Sequence, residues 1–350
     1  MFGGKQKAAK VVPAHLLRDK TILRLCQFNV LSPLAPLKSP LDRVPWRVRH
    51  EAICDFLVAE LPDVVCLQEY TFDRESVEDG FEELYEARLG DEYEFYCLRR
   101  TGSQVDGLAT LVRRASFATV GTVLHDLELD PKFCERVAQI LELDHLGAGR
   151  RVVIANVALT SPNPENNHDI PMCRPMQIKQ VLDKLWSVAS ADSVVFVAGD
   201  MNCDHLEVQP PPIKYSAAEV NRPVEAVFDG GLRSALHDRH PSVRPISHTS
   251  LDFLDGCVDY IFYRPDKHLE LMMSGLYPPY IPVNTAWNYE SGWLPIPDGR
   301  PLLLTTLSDH RPLIADFRLT PQRLFCAVAA GVGAAVGGIM GIAALVAASL

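Results

Sequence analysis

Three apolar runs in this chain close on side chains that bind metals or phosphate. ILRLCQFN ends at Asn29, DVVCLQE at Glu69, and VVFVAGDMN at Asp200 and Asn202. One polar residue at the end of a buried strand carries little information, but three such strands in one sheet system would set four oxygen-bearing side chains on a common rim, where open α/β sheets build their sites. Asp200 and Asn202 are two residues apart and would face the same way in an extended chain. Further along come Asp259 in GCVDYIFY and the pair Asp309–His310 in LSDHRPL. This set of three Asp, one Glu, two Asn and one His contains no thiolate, and hard oxygen donors select magnesium or manganese over zinc. Magnesium binds through one or two carboxylates and the substrate's phosphate, so the chemistry expected is metal-assisted hydrolysis of a phosphate ester.

The elements that would position these residues follow from hydrophobic periodicity. Alternating and fully apolar runs predict strands at 22–30, 63–68, 93–98, 107–113, 117–127, 134–144, 151–159, 193–199, 258–263 and 311–318. Helical spacing predicts helices at 46–60, 74–89, 172–190 and 215–228. Many strands with a few helices between them predict an α/β or α+β domain with more than one sheet. Two Pro-rich stretches, 209–213 and 278–301, read as loops, the longer one carrying Trp287, Tyr289 and Trp293.

Six short motifs occur in a telling order: N-V-L-S (29–32), L-Q-E (67–69), D-G-L-A (106–109), G-D-M-N (199–202), V-D-Y-I-F-Y (258–263) and S-D-H-R-P-L (308–313). With R-V-A-Q-I-L-E-L (136–143), they resemble the endonuclease/exonuclease/phosphatase superfamily, and most of all its deadenylase, nocturnin and 2′,5′-phosphodiesterase branch. The resemblance implies a four-layer α/β sandwich. It also implies roles: Glu69 as principal magnesium ligand with Asn29 beside it on metal or phosphate, and Asp200 orienting or deprotonating the attacking water. Asn202 would hold phosphate or nucleophile, and His310 would stabilise charge on the scissile phosphate, with its tautomer fixed by Asp259. Asp309 would assist a metal, and Asp106 would shape the substrate pocket. The family's N-T-H-L is represented here by Asn156, Val157, Ala158 and Leu159, so Asn156 is expected near substrate while the family's histidine is replaced by Ala158. His168, the nearest histidine downstream, is a candidate to reach in instead.

Composition sets the remaining bounds. The 350 residues are 47% hydrophobic and 22% charged, which excludes a disordered or fibrous chain. With 34 basic against 44 acidic residues the net charge is −10, which disfavours non-specific coating of nucleic acid and favours short substrates held in a pocket. Nine cysteines without a C-x-x-C pair read as buried thiols of a reducing compartment. Residues 1–20 read as a short basic arm and 21–320 as the catalytic domain. Residues 324–350 carry no charge and as a helix would reach about 40 Å, against about 30 Å of bilayer hydrocarbon. The expectation is a C-terminal transmembrane anchor preceded by Arg318 and Arg323, with the domain in the cytosol and the endoplasmic reticulum as the favoured membrane. Gly333, Gly337 and Gly341 form one smooth stripe for helix–helix pairing. The function expected from residues and resemblance together is a membrane-tethered, magnesium-dependent 3′→5′ exoribonuclease acting on RNA 3′ ends. The alternatives are a nocturnin-like phosphatase on an adenine dinucleotide, a lipid phosphodiesterase, and a tethered scaffold with a weakened site.

Overall fold

A computed structural model describes residues 19–34, 45–72, 80–129, 135–161, 170–204, 217–242, 245–248, 256–277 and 308–322. The chain runs β1 (Ile22–Asn29), α1 (Trp46–Glu60), β2 (Val64–Thr71), α2 (Phe81–Leu89), β3 (Tyr93–Arg99), β4 (Asp106–Arg113), β5 (Val123–Leu129), β6 (Arg136–His145) and β7 (Arg150–Ala158). It continues through α3 (Ile170–Val188), β8 (Val194–Asp200), α4 (Ala217–Asp229), β9 (Arg233–Ser234), α5 (Ala235–Arg239), β10 (Asp259–Tyr263), β11 (Leu269–Leu276) and β12 (Leu313–Leu319). Two six-stranded mixed sheets result, ordered β11-β12-β1-β2-β4-β3 and β5-β6-β7-β8-β10-β9. Among the described residues only β1–β2 and β7–β8 pair in parallel; the other ladders are antiparallel.

Strand alternation explains the layering. In β1, Leu23 and Leu25 face the cluster between the sheets, while Cys26 and Phe28 face a second cluster under α1 and α2. In β2, Val64 and Cys66 point inward and Val65 and Leu67 outward in the same way. Central strands buried on both faces need nearly continuous apolar sequence, which is what these runs supply. Helix α3 contributes Ile178, Val181 and Leu185, and α4 contributes Val224 and Val227, to the outer side of the second sheet. The outcome is an α/β sandwich of two packed sheets with helices outside.

Several predicted boundaries move. The strand expected at 117–127 begins at Val123, because Phe117 makes only an isolated bridge to His145. Strand β11 escapes the periodicity reading: it is an edge strand with mixed exposure and a bulge between Leu271 and Met273 that breaks its alternation. The helix expected from 74 starts, among the described residues, at Phe81 after Gly80 with φ 108. Seven described cysteines are free thiols, six of them buried. Among the described residues no helix is long and apolar enough to cross a membrane. The expected anchor 324–350 with Gly333, Gly337 and Gly341 lies outside the described residues, as do His168 and the Trp287–Trp293 loop.

Candidate active site

Both parallel pairs end at the same edge of the sandwich, and two antiparallel neighbours begin there. Asp259 at the start of β10 lies in register with Asp200 at the end of β8, and Asp106 at the start of β4 is opposite Thr71 at the end of β2. A β-bulge between Gln68 and Tyr70 gives Glu69 a φ of 56°, turning its side chain out of the ladder toward this rim. Gly199 is required by close approach, since a Cβ there would stand 2.0 Å from the Val157 carbonyl oxygen.

The rim residues form one connected group. Asn29 donates from Nδ2 to Glu69 Oε1 at 3.0 Å and to Asp200 Oδ2 at 3.2 Å, so its amide bridges the two carboxylates. Its Oδ1 accepts from the Leu31 backbone at 3.1 Å, and Ser32 N donates to Glu69 Oε2 at 3.2 Å. The chain turns at Asn202, with φ 50, instead of continuing extended. Its backbone N–H still donates to Asp200 Oδ1 at 2.8 Å, and its Nδ2 to Asp200 Oδ2 at 3.1 Å. Arg174, buried on α3, donates to the Asn202 carbonyl. Asp259 Oδ2 lies 2.9 Å from His310 Nδ1, which leaves His310 Nε2 facing Asp200 and Asp309 at 4.0 Å from each. Ser308 fixes this end of the chain by donating to the Asn29 carbonyl and accepting from His310 N.

Electrostatics follow from burial and crowding. Glu69 is raised above the usual glutamate range by burial and then by the neighbouring Asp309. Asp200 is also raised by burial, against the opposing pull of His310. For His310, burial works against the cation, but Asp259, Asp309 and Asp200 outweigh it and lift its pKa well above 6.5. Burial likewise opposes the Asp309 charge, yet the hydrogen bond from His248 and the charges of both histidines bring it down to about 2. Buried carboxylates that repel one another, with hard oxygen donors and no thiolate among them, fit a divalent cation whose charge would relieve the repulsion.

Beside Glu69 a cavity is lined by Arg100, Asp106, Arg136 and Ala158. Asp106 is therefore at the pocket wall, where it pairs with Arg100 NH1 at 3.2 Å. Arg136 was not singled out from the sequence. Burial and the adjacent Arg100 disfavour its charge while Asp106, Glu69 and Asp200 support it, and its Nε has no hydrogen-bond partner. Its sequence signal is its place as the first residue of R-V-A-Q-I-L-E-L, a motif that by itself assigns it no role. His248, also missed, rests its ring 4.5 Å from that of His310, on a loop that periodicity does not resolve.

Asn156 requires a correction. It is fully buried, its Nδ2 donating to Leu67 O, Ala109 O and Thr110 Oγ1, each at 3.2 Å, and its Oδ1 accepting from Gln68 at 2.8 Å. The side chain ties the two sheets together below the rim and is not available to a substrate. Ala158, in register with Asp200, is the residue of that strand that reaches the cavity.

Comparison with known proteins agrees with the fold. The chain is similar to the human Nocturnin catalytic domain with bound sulfate anion, at TM-score 0.56 and 19% identity, covering 85% of this chain and 94% of that one. It is similar to ANGEL2, a 2′,3′-cyclic phosphatase, at TM-score 0.59 and 18% identity, covering 85% and 95%. D. rerio TDP2 complexed with single strand DNA product gives TM-score 0.53 and 16% identity, covering 85% and 98%. These likenesses concern the fold. A curated Arabidopsis thaliana relative, an uncharacterized calcium-binding protein, is 25% identical over 197 residues; the match takes in 50% of this chain and spans 39% of that protein. The model of the Endonuclease/Exonuclease/phosphatase family matches residues 26–310, most of the chain. The chain belongs to that family, whose members are metal-dependent phosphoesterases and nucleases.

Proposed function

We propose that the protein is a magnesium-dependent hydrolase of nucleic-acid phosphate esters, acting as a 3′→5′ exoribonuclease on RNA 3′ ends, above all poly(A). The observation that carries this reading is the Asn29 amide spanning Glu69 and Asp200 within reach of the Asp259–His310 pair. Glu69, with Asp309 near it, would hold magnesium, and a divalent ion there supplies Lewis-acid charge to a phosphoryl oxygen. Asp200, steered by Asn29 and Asn202, orients the attacking water and takes its proton, a role helped by its raised pKa. His310 donates from Nε2 to a phosphoryl oxygen, and its cation offsets the charge that builds there. Arg136, which lines the cavity beside Glu69 together with Ala158, would offer a guanidinium to the same phosphate.

Substrate choice rests on motif order and on chemistry. The similar structures include a 2′,3′-cyclic phosphatase and a complex with a single-strand DNA product, both concerned with nucleic-acid phosphates. A net charge of −10 favours a short end in a pocket over long duplex. Residues 324–350 would hold the domain on the cytosolic face of a membrane, the endoplasmic reticulum by preference, with Gly333, Gly337 and Gly341 available for pairing; the support is the uncharged run itself. The test is a substrate panel of oligo(A), other RNA, single-stranded DNA, NADPH and sphingomyelin under magnesium, with Asp200→Ala as blank. Stepwise shortening of oligo(A) from its 3′ end is expected; cleavage of sphingomyelin alone would sink the reading.

A further inference from the structure

The histidine end of the site holds a donor set unlike the oxygen-rich corner around Glu69. His248 lies just ahead of β10, joined by backbone bridges to Gly256 and to His310. Its Nε2 is 3.6 Å from Asp309 Oδ2, and Asp309 Oδ1 is 4.0 Å from His310 Nε2. One donor atom from each of His248, Asp309 and His310 lies within 4.8 Å of the other two. Two imidazole nitrogens and one carboxylate suit zinc, whereas magnesium prefers oxygen alone. Zinc bonds of about 2.0–2.1 Å set tetrahedral donors roughly 3.3 Å apart, so donors that lie within 4.8 Å of one another need to close by at most about 1.5 Å. His248, with its side chain 19% exposed against 6% for His310, is the less buried of the two histidines and the one that would move.

A zinc-bound imidazole is oriented by a carboxylate on its other nitrogen. That partner is already built: Asp259 Oδ2 meets His310 Nδ1 at 2.9 Å, and Asp259 Oδ1 is held by Gln27 Nε2 at 2.8 Å. Because Asp259 is spent in this way, it is a support for the site and not a ligand. Asp200 Oδ2, 4.0 Å from His310 Nε2, leaves the fourth position to itself or to water.

We propose that His248, Asp309 and His310 form a zinc site that switches the enzyme off. Zinc there displaces the Nε2 proton of His310 to solvent and takes the atom that meets the phosphate, while Nδ1–H stays on Asp259, and it draws Asp309 away from the Glu69 corner. The inhibitory part rests on the reading of His310 given under Proposed function; the metal site itself does not.

The experiment uses the full chain in saturating magnesium. Zinc affinity is measured by competition with a chelating dye, and cobalt is added as a spectroscopic stand-in whose visible band reports a tetrahedral site with nitrogen donors. Wild type is expected to bind one zinc, show the cobalt band and lose oligo(A) hydrolysis as zinc saturates. His248→Phe, which keeps a ring against His310, is expected to bind zinc at least ~100-fold more weakly, beyond the 10–100-fold carried by outer partners. Its zinc inhibition, taken as a ratio within the variant, should fall in step. His248→Gln serves if the Phe variant unfolds. A wild-type protein without the cobalt band, or a variant that binds zinc as tightly as wild type, would overturn the site. A cobalt band in a protein that hydrolyses nothing under magnesium would instead overturn the phosphoesterase reading and the inhibition with it.

Discussion

His310 is a buried imidazole whose charge is set by three carboxylates. Burial alone would strip its proton near neutrality, but Asp259, with Asp309 and Asp200, holds it cationic well above pH 6.5. The wild-type rate should therefore show no fall near pH 6.5 from this group. In Asp259→Asn the strongest opposing charge is gone and burial weighs more, so the basic limb of kcat should move to lower pH, with the deficit growing as pH rises. Stability carries the same signature. A folded pKa above the unfolded value contributes stability that is fully present below about pH 6.5 and lost as pH rises through the folded pKa. The destabilisation of Asp259→Asn in urea unfolding should be largest in acid and shrink in alkali. A pH-independent loss in both measurements would assign Asp259 a packing role only.

Elements explain which residues the sequence disclosed. Asn29, Glu69, Asp200 and Asn202 were legible because each follows an apolar run, and strand ends are where a sheet can afford polar groups. Asn156 looked the same in one dimension, yet it pairs with Ala198, two residues short of Asp200. At about 3.3 Å per residue that places it some 6–7 Å below the rim, inside the sandwich. The bulge that turns Glu69, the edge strand β11, and the lone Arg136 and His248 left no periodic signal, because each depends on pairing between segments distant in sequence. The sheet-tying role of Asn156 makes a prediction. Asn156→Leu keeps the branched shape but leaves the Leu67 and Ala109 carbonyls, Thr110 and Gln68 without this partner. At about 1–3 kcal/mol for each buried group left unsatisfied, the variant should lose about 3 kcal/mol or more, while KM at a temperature where it stays folded is unchanged. A raised KM with full stability would restore Asn156 to the substrate.

At the scale of the whole molecule, β12 pairs with β1 and brings residue 319 beside residue 21, so the described chain begins and ends at the same end of the first sheet. Asn29 and His310 lie at the other end of these two strands, where Gln27 pairs with Leu313. A membrane held by 324–350 would then lie on the side of the sheet away from the rim, leaving the cavity beside Glu69 open to the cytosol. Fourteen of those 27 residues are Ala or Gly, so the apolar gain per residue is small and the proposed anchoring would rest mostly on length. Full-length protein should float with neutral phosphatidylcholine vesicles and resist extraction at alkaline pH and high salt, because screening does not weaken burial of uncharged residues. Replacing Val336 and Ile339 with Asp should release it, at roughly 2.5–3.5 kcal/mol for each central charge, without altering turnover of a soluble oligo(A). Release of the wild type by salt alone would mean that the basic flank at Arg318 and Arg323, and not a spanning helix, makes the attachment.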